Sequence, residues 1–280
     1  MDTIIHAPLA DSGKHYLGVC AIYRWEAQNL REWVAFHRVV GVDRLFLYDN
    51  ASDDEHREAL APFIDDGSVT LHEWPVFPGQ GSAYDHCLAR HGHEARWIAF
   101  LDVDEFLFSP TGRLLPDVLR DYEQHPGVGV SRAWMGTAGH ETRPEGLVLA
   151  NFDSRLHLPE PNRSVKSIVD PSRVKLRLNE HWFEFEGGAP TVDEHHQPLE
   201  TWSRPGELTF DLLRINHYFS KSEQEAMAKF DRPQAGGGKL RPELKLRGLR
   251  KRNELHGRPD HVIQQYLPSL QKELESVGGP

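Results

Sequence analysis

Residues 97–106 read WIAFLDVDEF, an apolar run that ends directly in two carboxylates, Asp102 and Asp104. The apolar run is typical of a buried strand. Two carboxylates spaced i and i+2 beyond such a strand can turn into a common cleft, where Mg²⁺ or Mn²⁺ takes them as oxygen ligands together with substrate phosphates. Acidic pairs at strand ends are also common as solvated caps. The tryptophan and phenylalanine in the strand shift the balance towards a metal–phosphate site.

The sequence before this stretch alternates between strand-like and helix-like segments. Strands are predicted over residues 16–23, 44–48, 69–74 and 96–101, and helices over 30–40, 52–61 and 82–91. This alternation requires crossover connections, so it predicts an α/β fold with a mainly parallel, Rossmann-like sheet and helices on both faces. Ligands of such sheets bind beyond the carboxyl ends of the strands. Polar clusters stand at those ends, at residues 24–26, 49–53 and 102–105.

The sequence after this stretch is less regular. It predicts strands over residues 128–134, 147–153, 164–169 and 208–216, and a loop over 187–205. Ser222 and Glu225 are spaced for a capping box that opens a helix over 222–230, as Ser52 and Glu55 are for the helix over 52–61. Residues 239–252 are strongly basic and residues 261–275 amphipathic. We therefore predict a basic helical extension over 232–280.

Composition and charge narrow the class of protein. The 280 residues are 39% hydrophobic, enough for a core, and no apolar run approaches the ~18–20 residues of a membrane span. The N-terminal residues lack the pattern of a secretory signal, and Cys20 and Cys87 form no CxxC pair. We therefore expect a cytoplasmic protein without structural zinc or disulfides. The formal charge of −10 disfavours nucleic acid as a partner.

Several catalytic motifs are absent from the sequence. GxGxxG and GxxxxGK[ST] do not occur, which argues against a Rossmann dehydrogenase and a P-loop NTPase. HExxH and GxSxG do not occur either, which argues against a zinc hydrolase and an α/β-hydrolase.

Two single residues at strand ends add to the acidic pair. Asp49 precedes the predicted cap at Ser52, and a carboxylate there can accept hydrogen bonds from ribose hydroxyls or a base. His217 follows the late strand, where an imidazole can bind Mn²⁺ or steady a phosphate. Because the chain has 17 histidines, a structural or exposed histidine is the commoner alternative.

Five ordered motifs together carry a family resemblance. They are CAIYRWE at 20–26, YDNASD at 48–53, WIAFLDVDEF at 97–106, WMGTAGH at 134–140 and NHYFSKS at 216–222. In this order they resemble the GT-A glycosyltransferases, and above all glycosyltransferase family 92 and its bacterial family 2-like relatives. The resemblance covers roughly residues 16–231, and we assign residues 1–231 to a GT-A domain. Where the family usually has Lys or Arg, then Asn and Glu, this chain has Arg24, Trp25 and Glu26.

The resemblance implies transfer of a sugar, with inversion, from a nucleotide-sugar donor such as a UDP-sugar to a glycan or lipid-linked acceptor, with Mn²⁺ or Mg²⁺ as cofactor. The metal would be held by Asp102, Asp104 and His217. The donor would be bound by Glu26, Asp49, Asn50, Asp53, Asp102 and Lys166. The catalytic base is nominated as His181, with His140 and Glu184 behind it. Each of these assignments has a structural alternative. His181 could be a packed histidine, and Lys166 could be a solvated lysine at a strand edge. Trp134 could stack on a sugar or belong to the core.

Other functions stay open at this point. A nucleotidyltransferase would also use an acidic metal cluster in an α/β sheet, although residues 1–30 lack its phosphate loop. A glycan- or nucleotide-binding module that kept the fold without the chemistry is the non-enzymatic alternative. The basic run at 239–252 is either a solvated face or a contact with anionic membrane or a lipid-diphosphate acceptor.

Overall fold

The computed structural model describes residues 4–5, 15–157, 164–203, 208–231 and 242–278. The strands are β1 (Ile4–Ile5), β2 (His15–Tyr23), β3 (Arg44–Asp49), β4 (Val69–Glu73), β5 (Ala95–Phe100), β6 (Glu105–Phe108), β7 (Gly127–Trp134), β8 (Ser154–Leu156), β9 (Val165–Val169), β10 (Val174–Arg177), β11 (Phe183–Phe185), β12 (Arg214–His217) and β13 (Gly257–Pro259). The helices are α1 (Ala27–Val39), α2 (His56–Asp65), α3 (Gln80–His91), α4 (Leu115–Leu119), α5 (Val148–Asn151), α6 (Glu223–Asp231), α7 (Pro242–His256) and α8 (Leu267–Ser276). None of these described helices is both long enough and apolar enough to cross a bilayer.

Nine strands form one sheet in the order β1-β4-β3-β2-β5-β9-β7-β12-β6. The neighbours β4, β3, β2 and β5 run parallel, and so do β7 and β12. The strands β1, β9 and β6 pair antiparallel with their neighbours. The pairs β10–β11 and β8–β13 form separate small ladders. The predicted α/β fold is confirmed, and the four predicted N-terminal strands build its parallel block.

Helices cover both faces of the sheet because successive residues of a strand point to opposite sides. Val19 of β2 lies in the core cluster under α1, which buries Leu30 and Trp33 there. The next residue, Cys20, lies in the cluster under α3, with Tyr84. Helix α8 adds Leu270 to the first cluster. The C-terminal helix of the predicted extension therefore packs into the core of the sheet domain.

A short link joins two strands that are distant in the sheet. β5 ends at Phe100 and β6 begins at Glu105, yet β9, β7 and β12 lie between them. The link is a turn, since the N–H of Glu105 donates to the carbonyl of Asp102 at 2.9 Å. Four strand spacings in a flat sheet would require about 19 Å, which such a turn cannot span. The sheet therefore curls, and the end of β12 lies beside residues 102–104, where the N–H of Tyr218 donates to the carbonyl of Asp104 at 2.8 Å.

The two predicted capping boxes have different outcomes. The box before α6 is confirmed, because the Glu225 carboxylate accepts from the hydroxyl of Ser222 at 2.7 Å and the N–H of Glu225 donates back to that hydroxyl at 3.2 Å. The box before α2 is wrong. The hydroxyl of Ser52 accepts instead from the N–H of Trp25 at 3.0 Å, and the helix begins at His56.

Two other sequence predictions are corrected by local hydrogen bonds. Residues 147–153 do not form a strand; they contain α5, whose Val148 and Leu149 N–H groups donate to the carboxylate of Glu32. The late strand, β12, is shorter than predicted because the backbone N–H groups that precede it donate to a side chain rather than to a neighbouring strand. Those of Leu212 and Leu213 donate to the buried carboxylate of Glu194 at 2.7 and 2.9 Å. The strand β6 and the two small ladders were not predicted.

Candidate active site

The two carboxylates of the 102–104 turn lie at the carboxyl end of β5 but have different partners. Oδ1 of Asp102 accepts from Nε2 of Gln80 at 2.7 Å, and its Oδ2 lies 3.0 Å from the ammonium of Lys166. Asp104 is more buried; its Oδ1 lies 3.4 Å from Nε2 of His217, and its Oδ2 is ion-paired with Lys229. The predicted proximity of Asp104 and His217 is therefore present in the structure, while Asp102 joins a separate group of charges.

Lys166 lies at the centre of that second group. It is buried on β9, and its ammonium contacts Asp102 and, at 3.5 Å, the fully buried Glu105. Burial alone would lower the pKa of Lys166, but these two carboxylates raise it above its ordinary value. Glu105 also accepts from Arg132 at 2.7 Å. Lys166 is therefore a permanently charged ammonium beside Asp102 and is not a solvated lysine.

Asp104 is held as a carboxylate by its own partners. Burial alone would raise its pKa, but Lys229 and His217 hold the pKa of Asp104 well below its usual range. The ring of His217 packs against the indole of Trp134, with centroids 4.8 Å apart. Nδ1 of His217 is buried and has no hydrogen-bond partner among the described residues.

The donor atoms fit a divalent cation in part. Asp104 and His217 offer one oxygen and one nitrogen within chelating distance, which suits Mn²⁺. The carboxylate of Asp102 does not complete a three-residue set with them. Within the described part of the chain, the one set of three ligand atoms closer together than 4.8 Å comes from Glu194, His195 and Asp211. That set lies elsewhere, and its Glu194 already accepts three backbone N–H groups.

A cleft of about 450 Å³ adjoins the acidic turn. It lies between the carboxyl ends of β2 and β3 and the N-terminus of α3, where exposed N–H groups favour anions. Asn50 lines it and holds its wall, since its Nδ2 donates to the carbonyls of Trp74 and Val76, both at 2.7 Å. Gln80 lines the same cleft while it donates to Asp102. The side chain of Gln80 therefore connects the wall of the cleft to the acidic turn.

The other residues predicted to bind a nucleotide lie around this cleft at different depths. Asp49 is buried and accepts from the N–H of Ser52 at 3.0 Å, so it shapes the loop. Glu26 accepts from Asn29 at 2.7 Å and lies 3.5 Å from the ammonium of Lys221. Asp53 is exposed and lines a more open groove, which meets the cleft at Trp25. Of the residues predicted to bind the donor, Asn50 is the one that lines the 450 Å³ cleft.

His181 lies in the turn between β10 and β11. Its Nδ1 lies 3.0 Å from the carbonyl of Val165, so Nδ1 carries the proton and Nε2 the lone pair. Burial, with smaller contributions from Lys166 and Arg132, lowers the pKa of His181 to about 4. The ring stacks on Trp202 with centroids 5.1 Å apart. His181 is therefore a neutral imidazole at neutral pH.

His140 and Glu184, the other two residues nominated for the base, have partners of their own. His140 lies 3.1 Å, at Nε2, from the carbonyl of Asn151 and packs on Phe152. Glu184 points away from the core because its neighbours on β11 point inward, and it pairs with Lys175 at 2.6 Å. Among the described residues, no hydrogen bond or ion pair joins either of them to His181.

Four residues of the site were not predicted: Gln80, Glu105, Arg132 and Lys229. Gln80 begins α3 directly after Pro78 and Gly79, a pattern that marks a tight turn before a helix. Glu105 stands in the quoted motif itself. The sequence around Lys229 and Arg132 does not indicate their roles, because their partners, Asp104 and Glu105, are distant in the sequence.

Comparisons with known proteins bear on the family of the chain. The sequence profile described as glycosyltransferase family 92 matches residues 15–234. A glycosyltransferase family 92 protein of Oryza sativa subsp. japonica is 34% identical over 210 residues, which are 73% of this chain and 33% of the relative. A galactan beta-1,4-galactosyltransferase of Arabidopsis thaliana, GALS1, is 28% identical over 172 residues, 58% of this chain and 33% of the relative. The chain thus spans about a third of the length of these curated relatives.

Among solved structures, that of residues 1–349 of TarS from S. aureus aligns over 85% of this chain and 71% of its own. Its TM-score is 0.40 and its identity 10%, a similarity that supports no argument about function. The family profile covers well over half of the chain, and its limits enclose the cleft, the acidic turn and His217. This chain belongs to glycosyltransferase family 92.

Proposed function

We propose that the chain transfers a hexosyl group from a UDP-sugar to a hydroxyl of a glycan acceptor. The observation that carries the proposal is the position of Gln80, whose side chain lines the 450 Å³ cleft and donates to Asp102 at 2.7 Å. A nucleotide in the cleft would therefore have its diphosphate beside the acidic turn and the N-terminus of α3. The name of the Arabidopsis relative supports UDP-galactose as the first donor to test.

The reaction forms a bond between the acceptor oxygen and the anomeric carbon and breaks the bond from that carbon to the diphosphate oxygen. The leaving electron pair goes to the diphosphate, and the hydroxyl proton goes to a base. Asp104 and His217 would hold a divalent cation, which supplies neutralisation of the departing charge. The ammonium of Lys166, fixed by Asp102 and Glu105, adds a positive charge on the same side of the site.

His181 is the proposed base of an inverting transfer. It is neutral at neutral pH, and its Nε2 has a lone pair and no hydrogen-bond partner among the described residues. His140 and Glu184 are held by other contacts, so we propose no role for them in the proton transfer.

The test is thermal unfolding with UDP, UDP-galactose and GDP-mannose, with and without Mn²⁺, followed by product analysis. A ligand that binds only the folded state raises the melting temperature. We expect the two uridine ligands to raise it more in the presence of Mn²⁺, and Asp104→Asn to remove the Mn²⁺ effect. Asp121→Asn, on an exposed turn, is the matched control. Inversion is read from the anomeric configuration of the product by proton NMR.

One observation favours a binding module as the second candidate. Both oxygens of Asp104 already contact cationic or hydrogen-bonding side chains of the chain itself, Lys229 and His217. A module of this kind would bind UDP without Mn²⁺ and would release no UDP from UDP-galactose in the presence of any acceptor. Mn²⁺-independent stabilisation together with absent turnover would favour this second function over the first.

A further inference from the structure

A second pocket lies beside Trp134, whose ring packs on His217, and it shares no lining residue with the cleft. Its volume is about 310 Å³, and it lies between the end of β7, the segment after β12 and the helices α6 and α7. Three aromatic side chains line it: Trp134, Phe219 and Phe230. Two cations of α7, Lys245 and Arg252, complete the wall. We call it the aromatic pocket.

The two cations of the aromatic pocket have no acidic partner in the part of the chain that the structure describes. Within the described ranges, neither Lys245 nor Arg252 has a carboxylate at ion-pair distance, and the ammonium of Lys245 lies 5.0 Å from the ring centroid of Phe230. Arg250, on the same helix but outside the pocket, pairs with both oxygens of Glu223 at 2.7 and 2.6 Å. Two unmatched cations beside an apolar wall, in a chain of net charge −10, favour an anionic ligand.

The aromatic pocket shares its walls with the acidic turn. Trp134 contacts the ring of His217 at 4.8 Å between centroids. The ring centroid of Phe219 lies 4.2 Å from the ammonium of Lys229, and Lys229 pairs with Asp104. A ligand in the pocket is therefore separated from the two predicted metal ligands by single side chains.

We propose that the aromatic pocket binds the acceptor and selects one whose sugar carries a carboxylate or a phosphate. The inference rests on the proposed glycosyl transfer. The C–H face of a pyranose ring packs on the aromatic side chains, and the anionic group pairs with Lys245 and Arg252. The pocket discriminates by charge because a neutral sugar leaves the two cations without a partner.

The test is isothermal titration calorimetry on the whole chain without any donor. The probes are a galacturonic acid trisaccharide, galactose 6-phosphate and a neutral galactose trisaccharide, which separate carboxylate, phosphate and uncharged ligands. We expect at least one charged probe to bind about tenfold more tightly than the neutral one, a ratio for one charge-assisted contact. The double variant Lys245→Gln/Arg252→Gln should remove this preference, whereas Arg250→Gln should retain it. Circular dichroism and thermal unfolding confirm that each variant is folded.

Three outcomes would overturn the proposal. They are equal binding of neutral and charged probes, a preference that survives in the double variant, and flotation with phosphatidylserine vesicles that depends on Lys245 and Arg252 while no sugar binds. The last would assign the cations to a membrane surface. Because no donor is present, the result is independent of the UDP test. Binding of a charged probe without any effect of UDP would support the pocket and reject the transferase. An effect of UDP without binding of a charged probe would support the transferase and reject the pocket.

Discussion

Oδ1 of Asp104 lies 3.4 Å from Nε2 of His217, although the two residues belong to the turn after β5 and the end of β12. The two residues are far apart in the sequence, and they are close in space because the sheet curls. We expect Asp104→Asn and His217→Ala each to lower kcat by about 10²–10³, the loss seen when one group that stabilises developing charge is removed. Steady-state kinetics at saturating Mn²⁺ measures this. Full activity in either variant would contradict the assignment.

Glu105 carries more of the stability than any exposed acid of the chain. It is fully buried between Arg132 and Lys166, so Glu105→Gln leaves two cations short of a partner. We expect a loss of about 3–5 kcal/mol in the free energy of unfolding. Glu184→Gln, whose pair with Lys175 is exposed, should lose far less stability. Urea unfolding of the two variants compares them directly, and equal losses would contradict the prediction.

Asn50 and Asp53 test which part of the loop after β3 binds the donor. Asn50→Ala removes two hydrogen bonds to the segment after β4, each worth about 1 kcal/mol, and loosens the wall of the cleft. We expect KM for the donor to rise about tenfold, with kcat changing less. Asp53→Ala, at an exposed position outside the cleft, should leave KM within about threefold. The assignment is reversed if Asp53→Ala has the larger effect.

The pKa of His181 predicts how stability depends on pH. Its folded pKa of about 4 lies below the ordinary 6.5, so the unfolded chain binds more protons between these values. The contribution of His181 to stability is therefore present above pH 6.5 and is lost as pH falls towards 4. We expect His181→Gln to reduce the difference in unfolding free energy between pH 7 and pH 5 by about 2 kcal/mol.

Each variant is compared with the parent protein at both pH values, so that the contributions of other titrating groups to the pH dependence cancel. Glu32 is one of these, because burial raises its pKa to about 7 and gives a pH dependence of the opposite sign. His93→Gln, at an exposed position before β5, should leave the difference unchanged. An unchanged difference in His181→Gln would show that the imidazole is accessible to protons in the folded state.

The sequence was sufficient where one local signal decided the structure. The apolar runs of β2 to β5 and the box of Ser222 with Glu225 appear in the structure as predicted. The box at Ser52 failed because a distant N–H, that of Trp25, bonds to the same hydroxyl. Lys229 could not be found from the sequence, since nothing near it indicates that α6 lies against Asp104. Pairing across the curled sheet is a tertiary property.

The place of β12 in the sheet has a consequence for the order in which the chain is made. Among the described strands, β6 pairs in the sheet with β12 alone, and β12 is the last strand of that sheet to be synthesised. A nascent chain of 200 residues already contains Asp102 and Asp104 but lacks both His217 and the neighbour of β6. Until translation passes residue 217, the edge of β6 that β12 later covers is open to pairing with other chains. The contact of Asp104 with His217 and the pairing of β6 with β12 therefore form in the same late step.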